Sequence, residues 1–279
     1  MNTPTTPLPT TRDRFRIRFA KTGLLRWIGH RDLQRLWERL SRRAALPLSM
    51  SEGFHPKPRI SFPSALALGA EGLDEVVEIE LSAPMDAHEL RQRLVNDNQP
   101  GLAIGEVRHV ARALPSGHAD PTFPGLPKAR LHSSRYEVEI PESFLEEVAP
   151  LARVEAAVES LRLAGVIPFA RKDDADQRRS GLADLASNVP DLRLLGRTLR
   201  MTLLEASGTS LKPGDVLAAL GLERLIEHGG ILCRTRVILC DEQGDTDLEI
   251  DAPRGELAVA SAAADMAHPS KTSFKERSS

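Results

Sequence analysis

The chain has 279 residues, of which 41% are hydrophobic, and this is enough for about two domains with apolar cores. None of its apolar runs approaches the roughly 20 residues of a membrane-spanning helix, and its polar start, MNTPTTPLPTTRDR, lacks the apolar region of a secretory signal. Its two cysteines, Cys233 and Cys240, do not have the spacing of a zinc or iron–sulfur site. We therefore expect a cytoplasmic protein with no membrane segment, no metal and no cofactor.

Positive charge is concentrated in the first quarter of the chain. Residues 12–59 contain thirteen lysines or arginines and four acidic residues, a local charge of +9 in a chain whose net charge is −2. A basic region in an otherwise acidic protein is typical of proteins that bind polyanions. The alternative is that these side chains only cover the solvated faces of helices and strands.

The first elements along the chain predict a basic strand and a basic helix. Residues 1–12 are rich in Thr and Pro, which predicts a disordered N-terminus. The run RFRIRF (Arg14–Phe19) alternates basic and apolar residues, so we expect a strand whose outer face carries Arg14, Arg16 and Arg18. From His30 to Ala45 apolar residues recur at helical spacing, and another side of this helix carries the basic residues Arg31, Arg35, Arg39 and Arg42.

The run from Ser49 to Phe62, SMSEGFHPKPRISF, has the composition of a functional loop. Its glycine, Gly53, and two prolines prevent a regular helix, because proline fixes its own φ and restricts the residue before it. Loops held by rigid elements often carry binding and catalytic residues. Candidates here are Glu52, Phe54, His55, Lys57 and Arg59. The alternative is a rigid turn whose charges have no function.

The pattern of the whole chain predicts an α+β fold. In residues 13–112 the first strand and helix are followed by expected strands at Ile60–Leu68, Glu75–Leu81 and Leu102–Val110 and a helix at Asp86–Asn96. This βαββαβ order is that of a ferredoxin-like sandwich.

A Pro- and Gly-rich linker or long loop is expected at residues 113–130, and the same order restarts in residues 131–240. The second unit includes one long strand, Leu192–Glu205. We therefore predict two tandem ferredoxin-like units, followed by a flexible tail at residues 241–279.

Two neighbouring motifs resemble a known bacterial family. Residues 29–47 read GHRDLQRLWERLSRRAALP, and residues 51–69 read SEGFHPKPRISFPSALALG. Together with the Arg-rich first strand they resemble the radical-SAM-associated family of unknown function. The resemblance implies a radical SAM enzyme as partner, and this chain would be the accessory module because it lacks a CxxxCxxC triad. A second resemblance, of architecture only, is to the tandem ferredoxin-like RNA-binding proteins of CRISPR systems.

Three functions remain open at the level of sequence. The first is an RNA-binding module for tRNA or rRNA, without enzymatic activity of its own. It would use Arg16, Arg31, Arg35, Arg39, Arg42, Phe54, Lys57 and Arg59.

The second function is a metal-independent RNA-processing enzyme. In it His30 and His55 would act as general base and acid, with Asp32 or Glu52 orienting an imidazole. The alternative is that His30 caps a helix and His55 bonds the backbone of a tight loop. The third function is docking to a radical SAM enzyme without RNA binding, through acidic residues of the second half. These are Asp173, Asp174, Asp176, Asp184 and Asp191.

Overall fold

A computed structural model describes residues 11–114, 116–123, 125–172, 178–205 and 210–242 of the chain. The strands are β1 (Arg12–Lys21), β2 (Ile60–Ser61), β3 (Glu71–Leu81), β4 (Leu102–Ala113), β5 (Leu131–Glu139), β6 (Val166–Lys172), β7 (Arg178–Asp184), β8 (Asp191–Leu195), β9 (Thr198–Leu204) and β10 (Leu232–Leu239). The α-helices are α1 (His30–Arg43), α2 (Ala87–Asn96), α3 (Glu142–Glu147), α4 (Leu151–Ala164), α5 (Leu185–Asn188) and α6 (Pro213–Ala219). A 3-10 helix, Gly23–Trp27, precedes α1. Among the described residues no helix has the length and apolar character needed to cross a bilayer.

Eight strands form one mixed sheet that runs through both halves of the chain. Its order is β4-β1-β3-β10-β5-β9-β8, and β2 adds to β3 beside this path. Neighbouring strands are antiparallel except β3 and β10, which pair in parallel. The strands β6 and β7 form a separate antiparallel hairpin. The α+β class predicted from the sequence is confirmed.

In the first half, the buried residues follow the strand periodicity of β1 and the helical periodicity of α1. Phe15, Ile17 and Phe19 alternate along β1 and are buried under α1 and α2, because successive strand residues point to opposite faces. Leu33, Leu36, Trp37 and Leu40 form the buried stripe of α1, because they recur at helical spacing. The polar side of α1 therefore faces away from the sheet.

The second half packs α4 and α6 on its own part of the sheet. Buried residues of the strands include Tyr136, Val138, Leu199 and Met201, and the helices add residues such as Val158 and Val216 to the same core.

Two strand predictions differ from the structure. The expected strand Leu192–Glu205 is two strands, β8 and β9, because Gly196 takes a left-handed conformation (φ +57°) and turns the chain back on itself. The expected strand Ile60–Leu68 pairs with β3 only at Ile60–Ser61.

The Pro- and Gly-rich segment 113–130 packs back on the sheet. The Leu126 N–H donates to the Val110 carbonyl at 2.7 Å, and the Phe123 ring stacks on His109 with ring centroids 4.3 Å apart. The segment therefore covers part of the sheet instead of extending as a free spacer. The predicted disordered N-terminus lies outside the described residues as far as residue 10, and the predicted flexible tail does so from residue 243.

A buried ion pair lies where the two halves meet. The parallel pairing of β3 and β10 consists of two residue pairs, Cys233 with Glu71 and Arg234 with Gly72. Beside them the Arg234 Nε donates to Glu75 Oε1 at 2.7 Å, and its Nη2 donates to Glu75 Oε2. Burial alone lowers the pKa of Arg234, but the charge and hydrogen bonds of Glu75 outweigh it and raise this pKa above its ordinary value.

We expect Glu75→Gln to lower the free energy of unfolding by about 3–5 kcal/mol, because Arg234 would become a buried charge without a counter-ion. The double variant Glu75→Gln/Arg234→Met should recover most of this loss, since it buries no charge. Urea unfolding followed by circular dichroism measures both. A single variant as stable as the parent would contradict this role of the ion pair.

The end of α1 contains a residue in a strained conformation. Ala45 has φ +51°, and around it the Leu46 N–H donates to the Ser41 carbonyl at 3.0 Å, as in helix ends that normally carry glycine. We expect Ala45→Gly to stabilise the protein by about 1 kcal/mol, because glycine adopts this conformation without steric strain. Ala44→Gly, at φ −70°, is the matched control and should destabilise it by about 1 kcal/mol in the same assay.

Candidate nucleic-acid interface

One side of α1 presents a row of exposed arginines, which we call the arginine stripe. Its members are Arg31, Arg35, Arg39 and Arg42. At a rise of 1.5 Å per residue the stripe is about 17 Å long. All four residues are exposed, because the opposite side of the helix holds the apolar residues that pack on the sheet.

The stripe is only weakly neutralised by acidic residues. Arg35 is 3.3 Å from Asp32, and both side chains are largely exposed, so this ion pair contributes little. In the described ranges, Arg31, Arg39 and Arg42 have no side-chain hydrogen bond or ion pair. Their charges are therefore directed to solvent.

A second exposed feature is the hairpin arm, Ser49–Arg59. The Ser51 N–H donates to the Lys57 carbonyl at 2.8 Å, and the Lys57 N–H donates to Ser51 Oγ at 2.9 Å. These bonds close the arm into a narrow loop, in which Gly53 takes φ +114°. The tip is exposed and carries Glu52, Phe54, His55 and Lys57.

The base of the hairpin arm is fixed by Arg59. Its Nε donates to the Met50 carbonyl at 3.1 Å and lies 3.7 Å from a carboxylate oxygen of Glu80 on β3. Arg59 is therefore half-buried and holds the arm to the sheet, whereas Lys57 points to solvent.

The two histidines occupy different parts of this surface. His30 is the first residue of α1, and its ring packs edge-on against Phe62 with centroids 5.3 Å apart. His55 lies at the tip of the hairpin arm. Within the part of the chain that the structure describes, neither imidazole has a hydrogen bond or ion pair, and Asp32 pairs with Arg35 instead.

Metal binding finds no support among the described residues, which contain no group of three His, Cys, Asp or Glu side chains able to hold an ion. Of the acidic residues proposed for docking, Asp184 and Asp191 lie in the described part of the chain. Asp173, Asp174 and Asp176 lie outside the described residues. Asp184 caps α5 by accepting from the Ser187 N–H. Hydrogen bonds from the Ser187 side chain and then from its N–H lower the pKa of Asp184. Asp191 pairs with Arg193.

The prediction that the arginines of β1 form an exposed basic face is wrong. The Arg16 side chain is only 2% exposed and bonds to Glu78 at 3.1 Å and Asp241 at 3.0 Å. Arg18 likewise pairs with Asp74 and Glu242, at 2.9 and 2.6 Å.

The physical reason is that β3 places acidic residues directly beside β1, and residues 241–242 return over the same face. Burial raises the pKa of Asp74 although Arg18 opposes this. Arg16, predicted as an RNA ligand, is therefore a structural residue.

An exposed tryptophan is the feature that the sequence did not reveal. Trp27 ends the 3-10 helix before α1 and is 56% exposed, with the Arg26 guanidinium 5.0 Å from the ring centroid. It belongs to no periodic pattern, since it lies between a strand and a helix. Its one sequence signal is its position three residues before His30.

The arginine stripe, the hairpin arm and Trp27 all lie within the part of the chain that matches a family. The family described as "Uncharacterized protein conserved in bacteria (DUF2344)" matches residues 14–213. The chain belongs to this family. The match confirms that the family is bacterial and of unknown function. Its description gives no activity or partner, so association with a radical SAM enzyme stays a prediction.

Other comparisons add little to the family assignment. The chain shows similarity to a solved structure described as "Crystal Structure of an Unknown Protein from Galdieria sulphuraria". The two are 13% identical over 82% of this chain and 98% of the other, with a TM-score of 0.24, which is too low to carry an argument. No curated protein matches the chain in sequence.

The structure divides the arginines into two classes that differ in their expected effect on stability. Arg16→Ala should lower the free energy of unfolding by about 2–3 kcal/mol, because it removes both hydrogen bonds from Arg16 to buried Glu78 and leaves only Arg14, 3.7 Å away, as a counter-ion. Arg31→Ala and Arg39→Ala should change it by less than about 0.5 kcal/mol. Thermal and urea unfolding compare the three variants. Equal losses would show that the stripe is also structural.

Proposed function

We propose that this protein binds RNA through the arginine stripe of α1 and the hairpin arm. The observation that carries the proposal is the stripe itself, with three of its four guanidinium groups unpaired within the described residues. The chain has a net charge of −2, but this row creates a local positive electrostatic potential that attracts a polyanion. Guanidinium groups also match the geometry of phosphate oxygens.

The exposed side of α1 is suited to binding along the phosphate backbone of one RNA strand. The helix α1 lies flat on the sheet with its polar side outward, so the stripe can follow several phosphates of one strand. Lys57 and Phe54, at the tip of the hairpin arm, add a cation and an aromatic ring that is fully exposed. A basic surface combined with an exposed aromatic ring is typical of proteins that bind single-stranded nucleic acid.

We also propose that the sheet consists of two ferredoxin-like units joined edge to edge. The order of the first four large-sheet strands is β4-β1-β3-β2, and that of the others is β10-β5-β9-β8, so each half has the pattern 4-1-3-2 in its own numbering. Sandwiches of this kind often bind RNA on the open face of the sheet. Here Arg14 and Arg16 on that face are bonded to segment 113–130 and to Asp241, which favours the helical side as the interface.

The RNA proposal predicts a salt-dependent interaction that is lost with the stripe. We expect the variant with Gln in place of Arg31, Arg35, Arg39 and Arg42 to bind labelled single-stranded RNA at least tenfold more weakly at about 50 mM salt. The slope of log K against log salt should fall in magnitude by up to about 3, at roughly 0.7 for each lost phosphate contact. Fluorescence anisotropy over a salt series measures both quantities.

The matched control replaces four exposed arginines of the second half, namely Arg153, Arg162, Arg193 and Arg224, by Gln. It changes the net charge by the same amount and should leave affinity and slope close to the parent. Parent protein that does not bind RNA at about 50 mM salt would end the proposal. An equal loss of RNA affinity in both variants would show that α1 is not the interface.

Metal-independent RNA cleavage by His30 and His55 is a second candidate function. It is favoured by the exposure of both imidazoles on the surface that carries the stripe and the hairpin arm. Cleavage of bound RNA in the presence of a chelator, abolished in His55→Ala and in His30→Ala, is the expected result. Cleavage that persists in either variant would rule this mechanism out.

Association with a radical SAM enzyme is a proposal that rests on the resemblance of the two motifs. An RNA-binding module beside such an enzyme would present tRNA or rRNA to it. Co-purification from cells with and without nuclease separates a direct protein contact from one bridged by RNA. Absence of the enzyme under both conditions would remove the proposed partner.

A further inference from the structure

The exposed indole of Trp27 is unusual, because tryptophan buries most of its surface in folded proteins. More than half of Trp27 is open to solvent, whereas the second tryptophan of the chain, Trp37, is completely buried. Leu24 and Leu68 are also largely exposed. Leu24 lies in the 3-10 helix that ends at Trp27, and Leu68 precedes Gly69, which lies beside the indole. The patch therefore presents a flat ring with apolar neighbours.

A buried lysine holds the backbone of Trp27 on both sides. Lys21 is 1% exposed, and its Nζ donates to the Ile28 carbonyl at 3.1 Å and, at 3.5 Å, to the Arg26 carbonyl. Burial lowers the pKa of Lys21, with Glu75 acting in the opposite direction. Burying an ammonium group is unfavourable. The hydrogen bonds from Lys21 to the two carbonyls offset part of this cost and fix the position of the turn.

Two further contacts fix the turn that carries the ring. The Gly69 N–H donates to the Arg26 carbonyl at 2.9 Å, and a Cβ on Gly69 would lie 3.2 Å from the indole, so the backbone passes directly beside the ring. At the start of the same turn the Gly23 N–H donates to Glu71 Oε1 at 3.0 Å. The indole is therefore exposed and held in place.

The electrostatic surroundings favour a nucleobase over an apolar partner. The Arg26 guanidinium lies over one face of the Trp27 ring, 5.0 Å from its centroid, so a stacking partner would use the opposite face. The arginine stripe begins at Arg31, four residues after Trp27. An exposed aromatic ring beside a row of cations is the arrangement with which proteins stack bases while holding the phosphates that follow.

We propose that Trp27 stacks an unpaired nucleobase, and that the RNA bound by this protein is single-stranded where it passes the start of α1. The inference rests on the proposed RNA binding and specifies its ligand. A base within a duplex has no free face, so paired RNA does not satisfy this site. Lys21 acts as a positioning residue for the indole.

The two tryptophans make the site observable. Single-stranded oligoadenylate of about twelve nucleotides is the probe, a length within the usual range for one binding unit. We expect it to quench the emission of the parent protein, and Trp27→Leu to leave only the emission of buried Trp37, which the probe does not change. Blunt-ended duplex RNA of the same length should leave the emission of Trp27 unaltered.

Affinity and salt dependence separate stacking from charge. Trp27→Leu should bind the oligoadenylate about tenfold more weakly, within the range found for loss of one stacked base. Its salt slope should equal that of the parent, since no phosphate contact is removed. Trp27→Phe keeps an aromatic ring and should bind within about threefold of the parent. In Lys21→Met, which removes the ammonium that fixes the turn, we expect weaker quenching without a change in the salt slope.

The outcomes distinguish this inference from the proposed function. Salt-dependent RNA binding with unchanged Trp27 emission and normal affinity of Trp27→Leu would overturn stacking and leave RNA binding in place. Absence of any binding by anisotropy would remove the proposed function itself. Equal quenching by duplex RNA would overturn the single-stranded ligand. Emission of Trp27 that shifts with protein concentration, without RNA, would show that a second copy covers the patch and would also overturn the inference.

Discussion

The ion pair between Arg234 and Glu75 connects the two halves of the sheet and supports the candidate interface. The main-chain pairing of β3 with β10 is short, so side chains provide much of the contact there. The Arg234 Nη1 also donates to Ser64 Oγ at 2.9 Å and to the Ala65 carbonyl at 3.3 Å, which ties the segment after β2 to this point. That segment runs on to Gly69, beside the indole of Trp27. Lys21, which holds the Trp27 backbone, interacts electrostatically with both members of the pair. The exposed ring is thus supported by buried charge.

Local patterns were sufficient to predict the first half of the fold. The alternation in β1 and the apolar stripe of α1 require only the sequence and the geometry of strands and helices. The hairpin of β8 and β9 was missed because its turn depends on one glycine inside an apolar run, Gly196. The short β2 was overestimated because an apolar segment is compatible with a strand whether or not a partner strand is in reach.

The candidate site was predictable in part for a similar reason. The stripe and the tip of the hairpin arm follow from helical spacing and from proline and glycine positions, and both are exposed. The role of Arg16 was not predictable, because its partners are distant in sequence, Glu78 by 62 residues and Asp241 by 225. Basic residues that are close in sequence form an exposed basic surface only where the fold places no acidic residues beside them. Trp27 was missed because its exposure is set by Lys21 and Gly69, which act through the backbone.

The parallel junction also bears on how the chain reaches its native state. Glu75 and Arg234 are 159 residues apart, so β3 and β10 meet only after nearly all of the described chain has been synthesised. Until then, in the described chain, this edge of β3 is paired only toward its end, by β2 at Glu78 and Ile79 and by Leu48 at Leu81, and its first residues offer free backbone groups to other chains. Domains generally fold from the N-terminus during synthesis, and contacts of long sequence separation form slowly. The strand β10 therefore both completes the sheet and covers an edge that, left open, is prone to aggregation.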